Sequence, residues 1–313
     1  SFDKIEIITR KFKKIISIKK MNNLSKNLKK KIKSDIKIII KDKKFKNLNL
    51  KNIPLIMGVL NITPDSFSDG GRYIQSEKAK KHMDSLFRSG ADIIDIGGES
   101  TRPGSKSIKS IVEWKRIKNI LEKINKKKFI SLDTRKSDIM ESGINLGVKL
   151  INDVSGLKYD RNTIKILKKY KTPFVLQHSL GNPDVMQNNP KYKNILLDIY
   201  DFFEEKIKFL RKAGIKHNNI VLDPGIGFGK NLKHNITLIK NISIYHSLGF
   251  PILLGMSRKK FIKELSGIND SWSRTGGSIS SNIFGMMQGV QILRVHDVNE
   301  IKQSIKIFKE LIK

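Results

Sequence analysis

Residues that could bind a ligand or move a proton recur at one kind of place in this sequence, directly after a short apolar run. Segment 57–71 is the clearest case: its apolar front ends at Asn61, and a polar loop containing Phe67 then closes on two glycines. A turn capped by Asn61 is the alternative interpretation. Amides and carboxylates in such places can accept a ligand's N–H donors, whereas Lys and Arg can bind its anionic groups. Further residues of this kind are Asp133, Asn152, Asp223, Lys259, Arg294 and His296.

These residues are positioned by a repeating unit, in which an apolar run is followed by a helical stretch. Eight such units predict a closed (β/α)₈ TIM barrel, with an open doubly wound sheet as the competing architecture. The apolar runs are 55–60, 93–96, 129–132, 150–151, 174–176, 220–222, 252–254 and 292–295, and the helical stretches are 76–89, 110–125, 137–146, 162–170, 195–213, 235–247, 275–288 (after a shorter helix near 259–265) and 299–312.

The ends of the eight runs should lie together. In a barrel of parallel strands, the carboxyl ends meet at one face, where active sites are built. A single polar residue after a strand is more often a helix cap or the partner of nearby backbone. Polar residues after all eight runs are hard to explain in that way. The sequence therefore predicts a ligand site at this face.

The first 50 residues are less regular and are predicted to form a basic extension, with the barrel domain occupying 51–313. Seventeen basic and four acidic residues lie in 1–50. The stretches 36–40 and 45–50, separated by a turn at 41–44, predict a hairpin. Residues before Met21 show no clear period, and we expect either a disordered arm or upstream sequence that is not normally made.

Composition excludes several classes of function. The chain has no Cys, which removes disulfides, thiolate metal sites and cysteine nucleophiles. No apolar run approaches the roughly 20 residues of a membrane span, and no secretory signal is present, so we expect a cytoplasmic protein without a membrane partner. The net charge of +33 invites a nucleic-acid interpretation. However, the charge extends beyond 1–50 over the whole chain without a recognised motif, so nucleic acid is not the expected partner.

Seven segments, in this order, resemble those of the dihydropteroate synthase family: NITPDSFSDGG, GGESTRPGS, LDTRKS, INDVSG, LDPGIGFGK, GMSRK and LRVHDV. The resemblance covers the chain from Ile53 to its end. It implies a (β/α)₈ barrel enzyme of folate biosynthesis. Such an enzyme is a transferase that joins 6-hydroxymethyl-7,8-dihydropterin diphosphate to 4-aminobenzoate and releases pyrophosphate by a dissociative substitution. It also implies a homodimer.

The resemblance implies roles for residues at the pterin. Asp223 and Asn152 would pair with the pterin edge, and Lys259 would lie on its carbonyl side. Arg294 has a planar cation suited to stacking on the ring. Asp133 would contact the pterin deep in the barrel and favour its electron-poor state. Asp133, Lys259 and Arg294 are accordingly the expected catalytic residues.

The resemblance also implies how the other groups are held. The diphosphate would be bound by Thr101, Arg102 and His296, with Mg²⁺ bridging it to Asn61, since Mg²⁺ commonly combines few protein ligands with phosphate oxygens. The 4-aminobenzoate, or a sulfonamide resembling it, would lie between three apolar walls, and Ser257 at the entrance of the following helix would hold its carboxylate. The walls would be Phe67, Pro103 and Phe228.

One segment departs from the family pattern, and two other hypotheses remain. Where many members have a Met- and Arg-containing stretch, this chain has Gln177 and then His178 to Pro183, which leaves open whether this loop packs on the pterin. The first alternative is a corrinoid-dependent methyltransferase with a similar pterin-binding barrel. The second is an inactive basic barrel that binds nucleic acid. The segments NITPDSFSDGG and STRPGS argue against the first, and the intact Asp133 and Asp223 argue against the second.

Overall fold

The computed structural model describes residues 3–46, 48–50, 54–63, 72–100, 105–181 and 189–313, with the backbone alone for 72–76. Within these ranges the strands are β1 (Lys4–Ile8), β2 (Lys13–Ser17), β3 (Leu55–Asn61), β4 (Ile93–Gly97), β5 (Ile130–Asp133), β6 (Leu150–Asp153), β7 (Phe174–Gln177), β8 (Ile220–Asp223), β9 (Leu253–Leu254) and β10 (Ile292–Val295). The α-helices are α1 (Lys26–Ile40), α2 (Arg72–Arg88), α3 (Ser110–Leu121), α4 (Ser137–Asn145), α5 (Thr163–Tyr170), α6 (Ile195–Lys212), α7 (Leu232–Lys240), α8 (Lys260–Ser266), α9 (Thr275–Met287) and α10 (Val298–Leu311).

Strands β3 to β10 form the predicted (β/α)₈ barrel. They pair in parallel in the order β8-β7-β6-β5-β4-β3-β10-β9. The two ends of this sheet meet through the parallel bridge between Leu222 and Ile252, where Leu222 N donates to Pro251 O at 2.9 Å. The competing open sheet is therefore excluded, because the last strand returns to the first.

Alternation along each strand separates two cores, since successive side chains of a strand point to opposite faces. In β7, Phe174 and Leu176 belong to the large cluster between strands and helices. Val175 belongs instead to a small cluster inside the barrel. The other strand residues of that inner cluster are Leu55, Met57, Ile93, Leu150, Val221, Leu253 and Ile292. Residues two positions beyond these, towards the carboxyl ends, therefore face the barrel interior at the site end.

The hairpin predicted from 36–40 and 45–50 was wrong, and a different hairpin lies nearer the N-terminus. Residues 36–40 belong to helix α1, and the antiparallel pair is β1 with β2, in the stretch expected to lack structure. The overlooked signal is the i, i+4 spacing of Leu28, Ile32 and Ile36, which buries one helix face. These residues pack with β1 and β2 side chains in a small separate cluster.

Two smaller differences concern the barrel. The predicted helix 235–247 is divided into α7 and a 3₁₀ segment, Ile242–Leu248, against which α1 packs. Helix α2 begins earlier than predicted, at Arg72. Within the described ranges, no helix combines the length and the apolar character that crossing a bilayer requires.

Candidate active site

Six polar side chains at the carboxyl ends of the strands face the interior of the barrel, and we call them the inward polar group. Each lies two residues after an interior apolar residue or, for Asp133, after the buried Ser131. All except Arg294, whose side chain is 20% exposed, are at least 95% buried. The group consists of Asp95, Asp133, Asn152, Gln177, Asp223 and Arg294.

Arg294 binds two carboxylates of this group at once. Its Nε donates to Asp95 Oδ2 at 2.7 Å, and its Nη2 donates to Asp133 Oδ2 at 2.8 Å. Asn152 Nδ2 also donates to Asp95 Oδ2, at 2.8 Å. The side-chain nitrogen of Asn152 is thus bound within the protein, whereas its buried Oδ1 has no hydrogen-bond partner among the described residues.

One guanidinium is shared by two buried carboxyl groups, and near neutral pH Asp133 holds a proton. Burial raises the pKa of Asp133 to about 8, against the opposing effect of Arg294 and with the support of the Asp95 charge. Burial acts to lower the pKa of Arg294, but the two carboxylates hold it above its ordinary value. The interior is thus suited to a ligand that carries or develops positive charge.

Several buried atoms of the inward polar group have no hydrogen-bond partner among the described residues. Three of them are acceptors: Asp95 Oδ1, Asp133 Oδ1 and Asn152 Oδ1. A fourth is the donor Gln177 Nε2. Because buried polar groups in proteins are nearly always paired, these atoms indicate a polar ligand in the barrel mouth.

Asp223 and Lys259 lie on the other side of the same mouth. Gly225 N donates to Asp223 Oδ1 at 2.7 Å, while Lys259 Nζ donates to Ile226 O and lies 4.3 Å from the centre of the Phe228 ring. Burial raises the pKa of Asp223, with Lys259 opposing. Burial lowers the pKa of Lys259 to about 7, with Asp223 opposing. Phe228 thus contacts the lysine, a contact that the predicted role as a 4-aminobenzoate wall did not include.

The loop after β8 needs glycine at Gly225, where φ is +68°. A Cβ there would overlap the backbone oxygen of His178, the residue after β7. The two loops are joined further by Lys230, whose Nζ lies 3.0 Å from His178 Nδ1 and donates to Phe228 O at 2.9 Å. His178 is thus a buried partner of this loop.

Asn61, Ser257 and His296 lie at neighbouring strand ends. A Cβ on Gly97 would lie 3.5 Å from Asn61 Oδ1 and 3.4 Å from Asp133 Cβ, so glycine leaves space beside the Asn61 oxygen. Ser257 Oγ is 3.1 Å from His296 Nδ1. Ser257 lies three residues before α8, which begins at Lys260, so it is not at the helix entrance where it was expected, and its role towards the carboxylate stays a prediction.

The residues around Asn61 fit an Mg²⁺ ion that is coordinated jointly by the protein and a substrate. They do not fit an ion that the protein holds alone. The described residues contain no cluster of three or more His, Cys, Asp or Glu side chains that could hold a metal ion. Asn61 supplies one amide oxygen next to the space left by Gly97. A single protein oxygen completed by phosphate oxygens and water is a usual arrangement for Mg²⁺.

Buried ion pairs hold the two ends of the connection after β4. Glu99 accepts from Arg135 Nε at 3.0 Å and from Ile108 N at 2.9 Å, and Lys136 Nζ lies 3.0 Å from the same carboxylate. Four predicted site residues lie outside the described ranges, and all of them except Phe67 belong to this connection: Phe67, Thr101, Arg102 and Pro103. Their roles stay predictions.

Sequence reasoning missed two members of the inward polar group, Asp95 and Gln177. Asp95 interrupts the apolar run 93–96, and a charged residue inside a buried strand was a usable signal. Gln177 had been left as part of a divergent loop. Both are recognised as site residues once the inward-facing alternation of the closed barrel is known.

Comparisons with known proteins identify the family of this chain. The family of pterin binding enzymes matches residues 57–296. Dihydropteroate synthase of Escherichia coli K12 is 38% identical over 256 residues, covering 81% of this chain and 90% of that protein.

Two solved structures are similarly close. The Yersinia pestis dihydropteroate synthase in a sulfonamide complex has a TM-score of 0.79 and 38% identity, covering 84% of this chain and 96% of that one. The Xanthomonas albilineans enzyme with 4-aminobenzoic acid has a TM-score of 0.79 and 34% identity, covering 84% and 94%. The chain therefore belongs to the dihydropteroate synthases, the pterin-binding barrel transferases of folate biosynthesis.

Proposed function

We propose that this chain condenses 6-hydroxymethyl-7,8-dihydropterin diphosphate with 4-aminobenzoate to give 7,8-dihydropteroate and pyrophosphate at the mouth of its barrel. The observation that carries the proposal is the inward polar group with its unsatisfied acceptors, Asp95 Oδ1, Asp133 Oδ1 and Asn152 Oδ1. A pterin is a flat heterocycle with several N–H donors along one edge. It would supply the partners that these buried acceptors lack.

The pterin is oriented by groups on two sides. Asp223 and Asn152 accept its N–H donors. This assignment is supported by the burial of both side chains and by Asn152 Oδ1, which has no hydrogen-bond partner among the described residues. Lys259 donates to the ring carbonyl from the β8 side. Arg294 is fixed by Asp95 and Asp133, so its guanidinium plane can stack on the ring without further ordering.

The substitution then proceeds through a cationic pterin. The bond between the pterin methylene carbon and the diphosphate oxygen breaks first, and its electron pair leaves with the diphosphate. Positive charge develops on the methylene and the ring, and it favours ionisation of Asp133, which releases its proton to solvent and then stabilises the cation as a carboxylate. The 4-aminobenzoate nitrogen attacks the methylene carbon, and the resulting ammonium loses a proton to solvent or to pyrophosphate. No side-chain nucleophile is required.

The leaving group is bound by residues at the rim of the barrel. Asn61 and His296 lie at neighbouring strand ends, and Thr101 and Arg102 follow β4 in the sequence. Mg²⁺, when bound to Asn61 and the diphosphate, would neutralise charge on the leaving group. Removal of Mg²⁺ should weaken pyrophosphate binding as well as turnover, and undiminished calorimetric binding of pyrophosphate in EDTA would contradict this assignment.

The 4-aminobenzoate site is proposed beside the rim. Phe67 and Pro103 are its expected apolar walls, and Phe228 borders it from the lysine side. Ser257 can donate its hydroxyl hydrogen to the carboxylate, which is supported by its burial next to His296. The Xanthomonas albilineans relative binds 4-aminobenzoic acid, and this gives independent support for the same ligand here.

We also propose a homodimer that uses the outer surfaces of α9 and α10, which pack against each other. Large apolar side chains there remain exposed: Phe284 by 40%, Ile307 by 62% and Leu311 by 79%. Exposed apolar patches often mark protein interfaces. Sedimentation of the wild type as a monomer at micromolar concentration would exclude this arrangement.

The proposed reaction is tested by pyrophosphate release from the pterin diphosphate, with and without 4-aminobenzoate. We expect release to depend on 4-aminobenzoate and to yield an equal amount of dihydropteroate. A corrinoid-dependent methyltransferase would release none. The matched variant is Asp223→Asn, which replaces an acceptor by a donor facing a donor. It should weaken pterin binding by about 1–3 kcal/mol or more. Unchanged affinity in calorimetry would remove Asp223 from the pterin site.

A further inference from the structure

Gln177 is a buried side chain to which the mechanism above gives no role. It is the last residue of β7 and is only 3% exposed, yet its Nε2 has no hydrogen-bond partner among the described residues. The backbone of the next residue is engaged, since His178 N–H donates to Asp223 O at 2.8 Å. The unsatisfied group is therefore the amide end of the side chain.

The amide points to the interior on the side of Asp223. Gln177 lies two residues after Val175, which belongs to the inner core, and it is paired in register with Asp223 on β8. A Cβ on Gly225, which also contacts Asp223 through its N–H, would lie 3.4 Å from Gln177 Cγ. Gln177 and Asp223 thus flank the same part of the barrel mouth.

The hydrogen-bonding character of Gln177 differs from that of its neighbours. The unsatisfied atoms of Asp95, Asp133 and Asn152 are all acceptors, whereas Nε2 of Gln177 is a donor. A ligand that satisfies the whole group must therefore present donors to the carboxylates and an acceptor to Gln177. A buried donor without a partner costs stability in the empty protein, so its partner is expected from the ligand.

We propose that Gln177 is a specificity-determining residue that donates a hydrogen bond from Nε2 to an acceptor atom of the pterin ring. This inference rests on the proposed function, because it takes the pterin as the ligand of the barrel mouth. Gln177 then discriminates against flat heterocycles that present a C–H or an N–H at that position. It takes no part in breaking the bond to the diphosphate.

The test compares Gln177→Met with the wild type. Methionine has nearly the same length and volume but offers no N–H. We expect its melting temperature to be equal or higher, because a buried unsatisfied donor is removed. Pterin affinity in calorimetry should fall about 5- to 10-fold, the usual effect of one lost hydrogen bond. A residue that only supports the fold would instead lose stability.

A matched control is Thr163→Val in α5. Thr163 is fully buried, and its Oγ1 also lacks a hydrogen-bond partner among the described residues, but it lies outside the inward polar group. Its substitution should leave pterin affinity unchanged. Equal affinities of the wild type and Gln177→Met would overturn the proposal, as would a melting temperature that falls together with affinity.

Pterin analogues identify the acceptor. In each analogue one ring acceptor is replaced: a ring nitrogen by C–H, or the carbonyl group by a methylene. For one of them, the wild type and Gln177→Met should bind equally, because the hydrogen bond is then absent from both complexes. A constant 5- to 10-fold difference across all analogues would contradict a hydrogen bond to the ring. Failure of the wild type to bind any pterin would instead refute the proposed function itself.

Discussion

At the scale of single residues, the site is defined by charges that the protein leaves incompletely balanced. Asp95 and Asp133 share Arg294, and Lys259 faces Asp223 from the loop after β9. Replacing Arg294 alone leaves the buried Asp95 and Asp133 without their partner, which typically costs several kcal/mol. Asp133, whose raised pKa leaves it able to ionise when a cation forms beside it, suits the barrel to a polar ligand that becomes cationic.

The depressed pKa of Lys259 predicts a pH dependence of stability. Its folded pKa of about 7 lies below its unfolded value of 10.5, so below pH 7 both states are charged and the folded state bears the desolvation cost. Between these values the unfolded state binds the extra proton, and stability rises with pH. Lys259→Met should therefore raise the melting temperature most near pH 6, with a gain that shrinks steadily towards pH 9.5.

The quantity compared at each pH is the difference in melting temperature between Lys259→Met and the wild type. The titration of Asp133, which is present in both proteins, therefore largely cancels. Thermal unfolding from pH 6 to 9.5 gives the measurement. A gain that is constant or grows with pH would show that Lys259 is an ordinary charged lysine in the folded protein.

At the scale of elements, the loop after β8 depends on backbone conformations that only glycine adopts easily. Gly225→Ala combines a positive φ with a Cβ that overlaps the His178 carbonyl oxygen. Gly267→Ala, at the end of α8, has a similar φ of +74° but no atom within 4 Å of the added carbon. The two substitutions therefore separate the conformational cost from the steric cost.

We expect Gly267→Ala to lower the free energy of unfolding by about 1–2 kcal/mol, the cost of a left-handed residue. Gly225→Ala should cost about 3 kcal/mol or more, because backbone must move, and it should also weaken pterin binding through Asp223 and Phe228. Denaturant unfolding and calorimetry provide the two measurements. Similar losses of unfolding free energy in both variants would mean that the loop after β8 accommodates the added Cβ without a steric cost.

At the scale of the whole molecule, the N-terminal extension packs on the barrel away from the residues of the site. Arg10 pairs with Asp198 of α6 at 2.8 Å, but its side chain is 48% exposed, and such surface pairs contribute little. The α1 helix contacts the 3₁₀ segment Ile242–Leu248, and β1 and β2 add Ile7 and Ile16 to a cluster with Ile32. This cluster is separate from both barrel cores.

Removal of residues 1–20 should therefore leave turnover within about two-fold of the full chain, because no described residue of the site contacts them. The remaining α1 should exchange its amide hydrogens faster, since the cluster around Ile32 loses its β1 and β2 side chains. Steady-state kinetics and hydrogen exchange test the two expectations. A large loss of turnover would show that the extension supports the barrel mouth.

The sequence alone determined the alternating architecture and most of the site. Runs of apolar residues at regular spacing predicted every barrel strand to within a few residues, because a buried parallel strand must be apolar on both faces. The segments at the strand ends also predicted five residues of the candidate site, because the carboxyl ends of the strands of a barrel converge. These residues are Asp133, Asn152, Asp223, Lys259 and Arg294.

Only the tertiary structure decided which groups meet and which way they face. Arg294 binds Asp95 and Asp133 across 199 and 161 residues of chain, a pairing that no local pattern encodes. Asp95 and Gln177 became site residues through the alternation of a closed barrel, in which a shift of one position would have turned both outward. The same holds for the extension, where the β1–β2 hairpin and α1 are stabilised by packing with one another, because short isolated elements are marginal without tertiary contacts.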